Sequence, residues 1–292
     1  MRLYNIAAGD SQELAVEAGT PSSCCVLSHN GLEIGDMNSL IDLWSPELEN
    51  RLKEISRHGT VVPLKSLKIC APIPHPKQDV ICLGINYYSH AREAAGFSEE
   101  AFGRERPATI YFSKRCAEAP GPGDPIPSYE GLVDSLDYEC ELAVIIGKTA
   151  VKVLPEEALD YVFGYTVFND VSARNLQTAH QQWYFGKSLD GFAPMGPCIV
   201  TPEDIPDPQT LAISCRVNGE LRQDSNTSLM MKTVAGAISE LSQGITLIPG
   251  TIIATGTPAG VGMGMKPPRF LKTGDVVECT IEKIGTLKNV VR

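Results

Sequence analysis

One acidic strand constrains this chain more than any other stretch. Residues 137–147 read DYECELAVIIG, and the β-branched residues with a closing glycine are typical of a strand. Side chains alternate between the two faces of a strand, so one face is apolar and consists of Tyr138, Cys140, Leu142, Val144 and Ile146. The opposite face carries Asp137, Glu139, Glu141 and Ala143. Two glutamates at this spacing repel each other, so a divalent cation or a shared proton is the usual reason that such a pair persists.

A third acid follows on the next apolar strand. Residues 161–170 read YVFGYTVFND, and Asp170 stands where this strand ends. With Glu139 and Glu141 it would complete an all-oxygen set of ligands, which hard cations such as Mg²⁺, Mn²⁺ or Ca²⁺ prefer. The alternative is a solvated acidic face on an amphipathic strand. The two glutamates alone leave both interpretations open, and Asp170 favours the metal site.

Composition excludes several classes of function. A chain of 292 residues, 43% hydrophobic, is long enough for one large domain or for a large and a small one. The net charge of −10 argues against nucleic acid or an anionic membrane as a partner. No apolar run approaches the length of a membrane span, and the start MRLYN is not typical of a signal peptide. Nine scattered cysteines without a Cys-x-x-Cys pair predict buried free thiols in a reducing cytoplasm, not a catalytic or zinc site.

The chain divides into a small N-terminal domain, residues 1–73, and a main domain, residues 74–292. The proline-rich stretch at their junction, residues 71–76, is typical of a linker. Within the small domain, Asn30 and the glycine after it predict a hairpin turn. Ser45, followed by a proline, predicts the N-cap of a short helix.

Two motifs of the main domain carry possible chemistry. His90 and Glu93 are three residues apart on an expected helix, so their side chains can touch. They are either a base with its orienting group or a surface pair of little consequence, and the residues alone favour the surface pair. The polar segment after them, residues 96–107, can close over a site as a lid. Lys187 lies between aromatic residues and glycines. It either binds a substrate carboxylate or acts as an acid or base, or its side chain extends along the protein surface. The surface position is the commoner case for a lysine.

Glycine-rich turns mark the end of the chain. Residues 251–262 read TIIATGTPAGVG, a strand running into a loop whose backbone N–H groups can face an anion. The loop is not a P-loop, because the Lys-Ser/Thr ending and the following helix are absent from its sequence. Asn218-Gly219 predicts one hairpin, and residues 272–291 predict another at the C-terminus.

The order of these motifs resembles the fumarylacetoacetate hydrolase superfamily. The resemblance runs from about residue 79 to residue 292. The matching motifs are residues 84–87 with His90 and Glu93, residues 138–143, residues 169–174 with Gln177, residues 186–188, and residues 255–262. The chain is most similar to the two-domain branch that contains the fumarylacetoacetate hydrolase domain-containing proteins, and residues 266–271 resemble the second type of those proteins.

This resemblance implies a β-rich α+β fold, a mixed β-sandwich roll with a small N-terminal α+β domain, and a homodimer. It implies a divalent-metal-dependent hydrolase or decarboxylase acting on a small 2-oxo or 2,4-dioxo acid, such as an acylpyruvate or oxaloacetate, through a metal-bound enolate. The same chemistry supports an isomerase, either an oxaloacetate keto–enol tautomerase or a 2-hydroxyhepta-2,4-diene-1,7-dioate isomerase. A non-catalytic binding protein on this fold is a third possibility, and the intact His90, Glu93 and Lys187 argue against it.

The resemblance also implies roles for individual residues. It makes Mg²⁺ or Mn²⁺ the cofactor, with Ca²⁺ as a substitute in crystals. It makes the His90–Glu93 pair a catalytic dyad on a closing lid instead of a surface pair. In full, it implies metal ligands at Glu139, Glu141 and Asp170, catalytic groups at His90, Glu93 and Lys187, and substrate contacts at Gln177, Thr257, Gly256 and Arg174. The segment after Glu93 is longer than in single-domain members, which leaves the distal end of the substrate unspecified.

Overall fold

The structure is a computed structural model that describes residues 1–97, 108–180 and 182–292. Its described strands are β1 Arg2–Ala8, β2 Ser11–Ala18, β3 Thr20–Val26, β4 Val61–Pro63, β5 Val80–Leu83, β6 Tyr111–Lys114, β7 Pro125–Ile126, β8 Leu136–Asp137, β9 Cys140–Ile146, β10 Val162–Asn169, β11 Ser172–Ala173, β12 Met195–Val200, β13 Ala212–Val217, β14 Glu220–Asn226, β15 Ile252–Ala254, β16 Val276–Ile281 and β17 Gly285–Val291. The described α-helices are α1 Met37–Asp42, α2 Pro46–His58, α3 Tyr88–Phe97, α4 Arg174–Ala179, α5 Tyr184–Lys187 and α6 Val234–Ser242.

The predicted acidic strand, β9, lies near the middle of a ten-stranded sheet. The order of this sheet is β4-β3-β2-β1-β12-β10-β9-β15-β5-β6. Every residue of β9 and of its antiparallel neighbour β10 is buried, which suits their near-continuous apolar and β-branched sequences. Strands β15 and β5 pair in parallel, whereas β9 pairs with β15 and β10 in antiparallel fashion, so the sheet is mixed.

A second sheet, of order β14-β13-β16-β17-β7, packs on one face of the first. The apolar face of β9 shares a core with second-sheet residues such as Ile213 and Cys279. On its other face, Ala143 and Ile145 share a core with Leu40 of α1 and Leu52 of α2. This is the packing of a sandwich with helices on its outer side. The β-rich α+β class and the mixed β-sandwich roll are therefore confirmed.

The N-terminal strands continue the large sheet, because β1 pairs with β12 with Leu3 opposite Ile199. Helix α2 starts as predicted, with the Ser45 side chain accepting a hydrogen bond from Leu48 N–H at 3.2 Å. The predicted hairpin at Asn30 is wrong. Asn30 ends a 3₁₀ turn, and its side chain bonds Val26 O and Thr60 N–H, so side-chain bonds close this turn instead of strand pairing. The domain boundary at residue 73 stays a prediction.

Local signals elsewhere in the chain are confirmed. The Asn218-Gly219 turn joins β13 and β14, and both residues have positive φ, as a tight hairpin turn requires. The C-terminal hairpin forms from β16 and β17. All nine cysteines are free, and all except Cys116 are buried. Among the described helices, none has both the length and the apolar character needed to cross a membrane.

Candidate metal centre

The pairing of β9 with β10 brings the three acids together. Glu139 immediately precedes β9, Glu141 lies within it, and Asp170 immediately follows β10. Because the two strands run antiparallel with Asn169 opposite Cys140, the end of β10 lies beside the start of β9. Two hydrogen bonds fix this junction: Glu139 N–H donates to Asn169 Oδ1 at 3.0 Å, and Asp170 N–H donates to Glu139 O at 2.9 Å.

Glu139, Glu141 and Asp170 form a buried carboxylate trio. One oxygen from each of them lies within 4.8 Å of the other two. Their exposed fractions are 3%, 1% and 1%, so the alternative of a solvated acidic face is wrong. Carboxylates removed from water are costly unless cations and hydrogen bonds compensate for the lost hydration.

Three buried cations surround the carboxylate trio. Lys187 Nζ lies 2.7 Å from Glu139 Oε2 and 2.8 Å from Asp170 Oδ2. Lys114 Nζ lies 2.6 Å from Asp170 Oδ1 and donates to Val171 O at 2.8 Å. Arg174 Nη2 lies 2.7 Å from Glu139 Oε1. Asp170 is therefore held between two ammonium groups, and Glu139 between an ammonium and a guanidinium.

Lys187 is not the surface lysine that its local sequence favours. Its side chain, at the end of α5, is 2% exposed, and its Nζ lies 5.3 Å from the centre of the Phe112 ring. Burial by itself lowers the pKa of Lys187, but the negative charges of Asp170 and Glu139 outweigh it and raise the pKa. The side chain therefore remains an ammonium between two carboxylates.

The two glutamates differ in electrostatic environment although both are buried. Burial raises the pKa of Glu139, but the nearby Lys187, Arg174 and His90 outweigh this and lower it. Burial also raises the pKa of Glu141, and the charges of Asp170 and Glu139 raise it further. Among the described residues no ion pair involves Glu141; its Oε2 accepts a hydrogen bond from Gly256 N–H at 2.8 Å.

A divalent cation fits this trio. The donor set is all oxygen, which suits Mg²⁺ or Mn²⁺, and the raised pKa of Glu141 shows that the surrounding positive charge does not offset its burial and its acidic neighbours. A cation held by all three acids would favour the ionised form of Glu141.

The His90–Glu93 pair lies against the same site. His90, on α3, is 3% exposed, and its Nδ1 lies 3.3 Å from Glu93 Oε2. Gly260 N–H donates to both oxygens of the Glu93 carboxylate, at 3.0 and 3.1 Å. After Lys187 and Arg174, His90 also contributes to lowering the pKa of Glu139, so its charge acts on the trio. The surface pair favoured by the residues alone is therefore wrong. The predicted lid falls largely on residues 98–107, which lie outside the described residues.

Helix α3 packs against a turn formed by Gly262–Gly264. Ala94 of the helix shares a small apolar cluster with Val261 and Met263. A Cβ atom added to Gly264 would coincide with the side chain of Glu93. The bare backbone at this position therefore leaves the room that Glu93 occupies.

The four residues with implied substrate contacts also lie around the carboxylate trio. Arg174 Nη1 donates to Gln177 Oε1 at 3.0 Å, so these two side chains form one unit on α4. The Thr257 hydroxyl donates to Cys140 O at 2.9 Å, between the two glutamates along the chain. Gly256 has a φ of +89°, and a Cβ atom there would lie 2.8 Å from Asn86 Cβ. All four are buried.

Sequence reasoning missed three buried residues at this site. Lys114 braces Asp170, as described above. Asp137 accepts from Arg174 Nε at 2.9 Å and from the backbone N–H groups of Gly262 and Met263 at 2.7 and 3.0 Å. Gln223 donates to Thr257 at 2.8 Å. Alternation along the acidic strand indicates the face of Asp137, but no local signal marks the partners of Lys114 or Gln223.

Comparison with known proteins agrees with this architecture. The family described as "Fumarylacetoacetate (FAA) hydrolase C-terminal" matches residues 79–292. The chain belongs to the fumarylacetoacetate hydrolase family. Of its relatives in this family, oxaloacetate tautomerase YisK of Bacillus subtilis (strain 168) is 47% identical over 228 residues, which cover 78% of this chain and 74% of the relative.

Two further family members match nearly the whole chain. The mitochondrial oxaloacetate tautomerase fahd2 of Xenopus laevis is 39% identical over 280 residues, covering 89% of this chain and 85% of the relative. The solved structure of a fumarylacetoacetate hydrolase from the psychrophile Exiguobacterium antarcticum superposes with a TM-score of 0.86 at 38% identity, covering 100% of this chain and 99% of that one. The family resemblance seen in the sequence is thus confirmed, and the chain is similar to enzymes named for two different reactions.

Proposed function

We propose that this protein is a divalent-metal-dependent tautomerase that interconverts the keto and enol forms of a small 2-oxo dicarboxylic acid such as oxaloacetate. The observation that carries the proposal is that the protein holds both a buried carboxylate trio suited to a cation and a buried His90 paired with Glu93, which supports a metal-assisted proton transfer. Two relatives named oxaloacetate tautomerases support the choice of reaction. The sequence alone placed this isomerase second, after a hydrolase or decarboxylase.

Glu139, Glu141 and Asp170 would hold Mg²⁺ or Mn²⁺. When bound, the cation supplies a Lewis acid that polarises the 2-oxo group of the substrate. Lys187 and Lys114 hold the two Asp170 oxygens at 2.8 and 2.6 Å, so this ligand cannot rotate freely. Arg174 likewise restrains the Glu139 carboxylate through its contact with Oε1. Such bracing keeps a ligand set arranged before the substrate arrives.

Keto–enol interconversion moves one proton from C3 of the acid to its 2-oxo oxygen, and the reverse reaction returns it. A carboxylate has no hydrogen to donate, and Glu93 already accepts from Gly260 N–H, so we assign the hydrogen of the His90–Glu93 bond to His90 Nδ1. The other ring nitrogen, Nε2, is then the proton acceptor and can carry the proton from C3 to the oxygen. Glu93 orients the ring and stabilises its protonated form.

The remaining side chains bind and enclose the substrate. Arg174 and Gln177 form a buried pair of polar groups beside Glu139, suited to an acidic ligand. The carboxylate trio, Lys187, Arg174 and His90 are all buried, and exclusion of water from these charges strengthens their interaction with the substrate.

A C–C hydrolase or decarboxylase is the second candidate function. It is favoured by the similarity to the Exiguobacterium enzyme, named a fumarylacetoacetate hydrolase, over the whole chain. The His90–Glu93 pair would then activate a water molecule instead of moving a proton on the substrate.

One assay separates the two candidates. Enol absorbance of oxaloacetate is followed with the Mg²⁺-loaded protein while pyruvate and CO₂ are measured in the same sample. We expect enol loss to be accelerated with no pyruvate or CO₂ above the level of Mg²⁺ alone. Release of pyruvate and CO₂ in step with enol loss would favour the decarboxylase, and an enol decay equal to that without protein would contradict the tautomerase. Repeating the assay with acylpyruvates tests the hydrolase substrates directly.

We also propose a homodimer in the cytoplasm, as the resemblance and the free cysteines suggest. Light scattering at micromolar concentration is expected to give twice the 31.5 kDa mass of the chain. A monomeric mass would contradict the dimer.

A further inference from the structure

We propose that Gln223 is a positioning residue that fixes the Thr257 loop, residues 255–258, against the strand carrying Glu139 and Glu141. The inference rests on the proposed function only in taking a 2-oxo acid as the ligand of that loop. Gln223 lies in β14, the edge strand of the second sheet, yet its exposed fraction is 0%. A primary amide buried in the interior of a sandwich is costly unless all its hydrogen bonds are made.

Two of these bonds fix the orientation of the amide. Cys140 N–H lies 3.0 Å from Gln223 Oε1, and a backbone N–H only donates, so the oxygen of the amide faces β9. The nitrogen therefore faces the loop, where Nε2 donates to Pro258 O at 2.8 Å. A carbonyl only accepts, so both ends of the amide are assigned by their partners.

The orientation of the amide in turn orients the Thr257 hydroxyl. Gln223 Nε2 donates to Thr257 Oγ1 at 2.8 Å, so this oxygen is an acceptor towards Gln223. Its own hydrogen then goes to Cys140 O, 2.9 Å away. Gln223 and Thr257 thus bond the N–H and the C=O of one residue, Cys140, which stands between the two glutamates in the chain.

The loop is joined to the ligands at a second point. Gly256 N–H donates to Glu141 Oε2, and the preceding Thr255 O accepts from Asn86 Nδ2, each at 2.8 Å. Without Gln223, the loop would keep these contacts and the Thr257–Cys140 hydrogen bond, but it would lose the two bonds that Gln223 donates to Thr257 and Pro258. Among the described residues no hydrogen bond joins the Gln223 side chain to the carboxylate trio; its donors go to Thr257 and Pro258, and its oxygen accepts from Cys140 N–H.

The test uses Gln223→Glu in the full chain. This change keeps the shape of the side chain and an acceptor for Cys140 N–H, but it replaces the donor with an oxygen that faces Pro258 O. Calorimetry measures Mg²⁺ binding and then oxalate binding to the Mg²⁺-loaded protein. We expect the Mg²⁺ affinity to stay within about twofold and the oxalate affinity to fall about tenfold, since two hydrogen bonds are lost. The KM for oxaloacetate should rise more than kcat falls.

Gln209→Glu is the matched control. Gln209 Oε1 accepts from Val234 N–H at 2.8 Å and its Nε2 donates to Thr227 O at 2.9 Å, so it makes the same kinds of bonds as Gln223. Within the described part of the chain, its hydrogen-bond partners are Val234, Thr227 and Met230, none of which lies in residues 255–258. We expect this variant to lose stability while it keeps the wild-type affinity for oxalate.

A readout without ligand or turnover completes the test. Amide hydrogen exchange of residues 255–260 should be at least about tenfold faster in Gln223→Glu than in the wild type or in Gln209→Glu. Unchanged exchange, or unchanged oxalate affinity in a folded variant, would overturn the proposal. A fall in Mg²⁺ affinity as large as the fall in oxalate affinity would also overturn the proposal, because the substitution would then act on the strand with Glu139 and Glu141 and not on the Thr257 loop. If Gln223→Glu does not fold, Gln223→Asn must show the same split. Absence of tautomerase turnover in the wild type would defeat the proposed function and leave these measurements intact.

Discussion

One buried face of strand β9 carries acidic residues at its start and apolar residues further along. At its start, Glu139 and Glu141 are 3% and 1% exposed, and further along the same face Ala143 and Ile145 are both 0% exposed. The acids lie among the Lys187, Lys114 and Arg174 cations, whereas the apolar pair packs in the helix-covered core. Strand geometry thus decides only that a face is buried, and the tertiary partners decide what chemistry that face can hold.

The two ends also differ in what they contribute to stability. Burying the apolar end is favourable by roughly 25 cal/mol per Å² of apolar surface removed from water. The acidic end gains little from its ion pairs, because desolvation of both charges offsets their attraction. Glu141 in addition forms no direct ion pair among the described residues, and the charges of Asp170 and Glu139 raise its pKa despite the more distant Lys187. We infer that the acidic end is kept for binding and the apolar end for folding, and the following variants test that division.

Glu141→Ala should have the largest effect. It removes the proposed ligand that lacks a direct ion pair among the described residues, so we expect Mg²⁺ binding to be lost and turnover to fall by roughly 10³-fold or more, since the Lewis acid supplies several kcal/mol. Calorimetry and the enol assay measure both. Glu17→Ala, on β2, is the control and should keep both properties. Stoichiometric Mg²⁺ in Glu141→Ala would remove this residue from the ligand set.

His90→Ala comes next and separates chemistry from metal binding at the acidic end. Loss of a general acid–base should lower kcat by roughly 10²–10⁴-fold. Mg²⁺ affinity should change little, because the imidazole is not among the ligands. Steady-state kinetics and calorimetry on one preparation give both numbers. Near-normal turnover in this variant would mean that the buried pair has a structural role only.

Lys114→Met tests the cost of the buried charges. Removing one partner of a buried ion pair leaves Asp170 with less compensation, and such losses are roughly 3–5 kcal/mol in the free energy of unfolding. Mg²⁺ should restore part of this loss, because a bound cation replaces the missing charge. Urea denaturation with and without Mg²⁺ measures it. Lys68→Met, which breaks an ion pair whose lysine is 64% exposed, should cost below about 1 kcal/mol. An equal loss with and without Mg²⁺ would separate Lys114 from the metal site.

Ile145→Val should have the smallest effect and concerns the apolar end alone. Deleting one buried methyl group typically lowers the free energy of unfolding by about 0.5–1.5 kcal/mol. Activity and Mg²⁺ affinity should be unchanged, and the loss should not depend on Mg²⁺. Denaturation curves and the enol assay check this. A drop in Mg²⁺ affinity would show that the two ends of β9 are coupled, against the division drawn above.

The sequence predicts those parts of the fold that depend on near neighbours. Alternation along residues 137–147 places the acids and the apolar residues on opposite faces, because the strand period is two. The N-cap at Ser45 and the Asn218-Gly219 turn also follow from adjacent residues. The turn at Asn30 does not, because its side chain bonds Thr60, which is far along the chain.

The candidate site depends on distant neighbours, and there local reasoning fails in a consistent way. Lys187 and His90 look like surface residues because nothing beside them in the sequence shows that a carboxylate faces them. The match of several ordered motifs to one family corrected both. Lys114 and Gln223 lie outside those motifs, and their partners are 56 and 34 residues away in the chain. Only the folded structure brings such pairs together.

The position of the Glu93 side chain against Gly264 affects how a mutational scan of this protein would be interpreted. The backbone at Gly264 has no positive φ, so alanine fits its local conformation, and the three atoms nearest to an added methyl group all belong to the side chain of Glu93. In a saturation library, this position would therefore score as intolerant for activity while the variants still express and load Mg²⁺. Gly264 would then look essential for the geometry of its turn. The property that matters is instead the absence of a side chain, because the Glu93 side chain occupies that space.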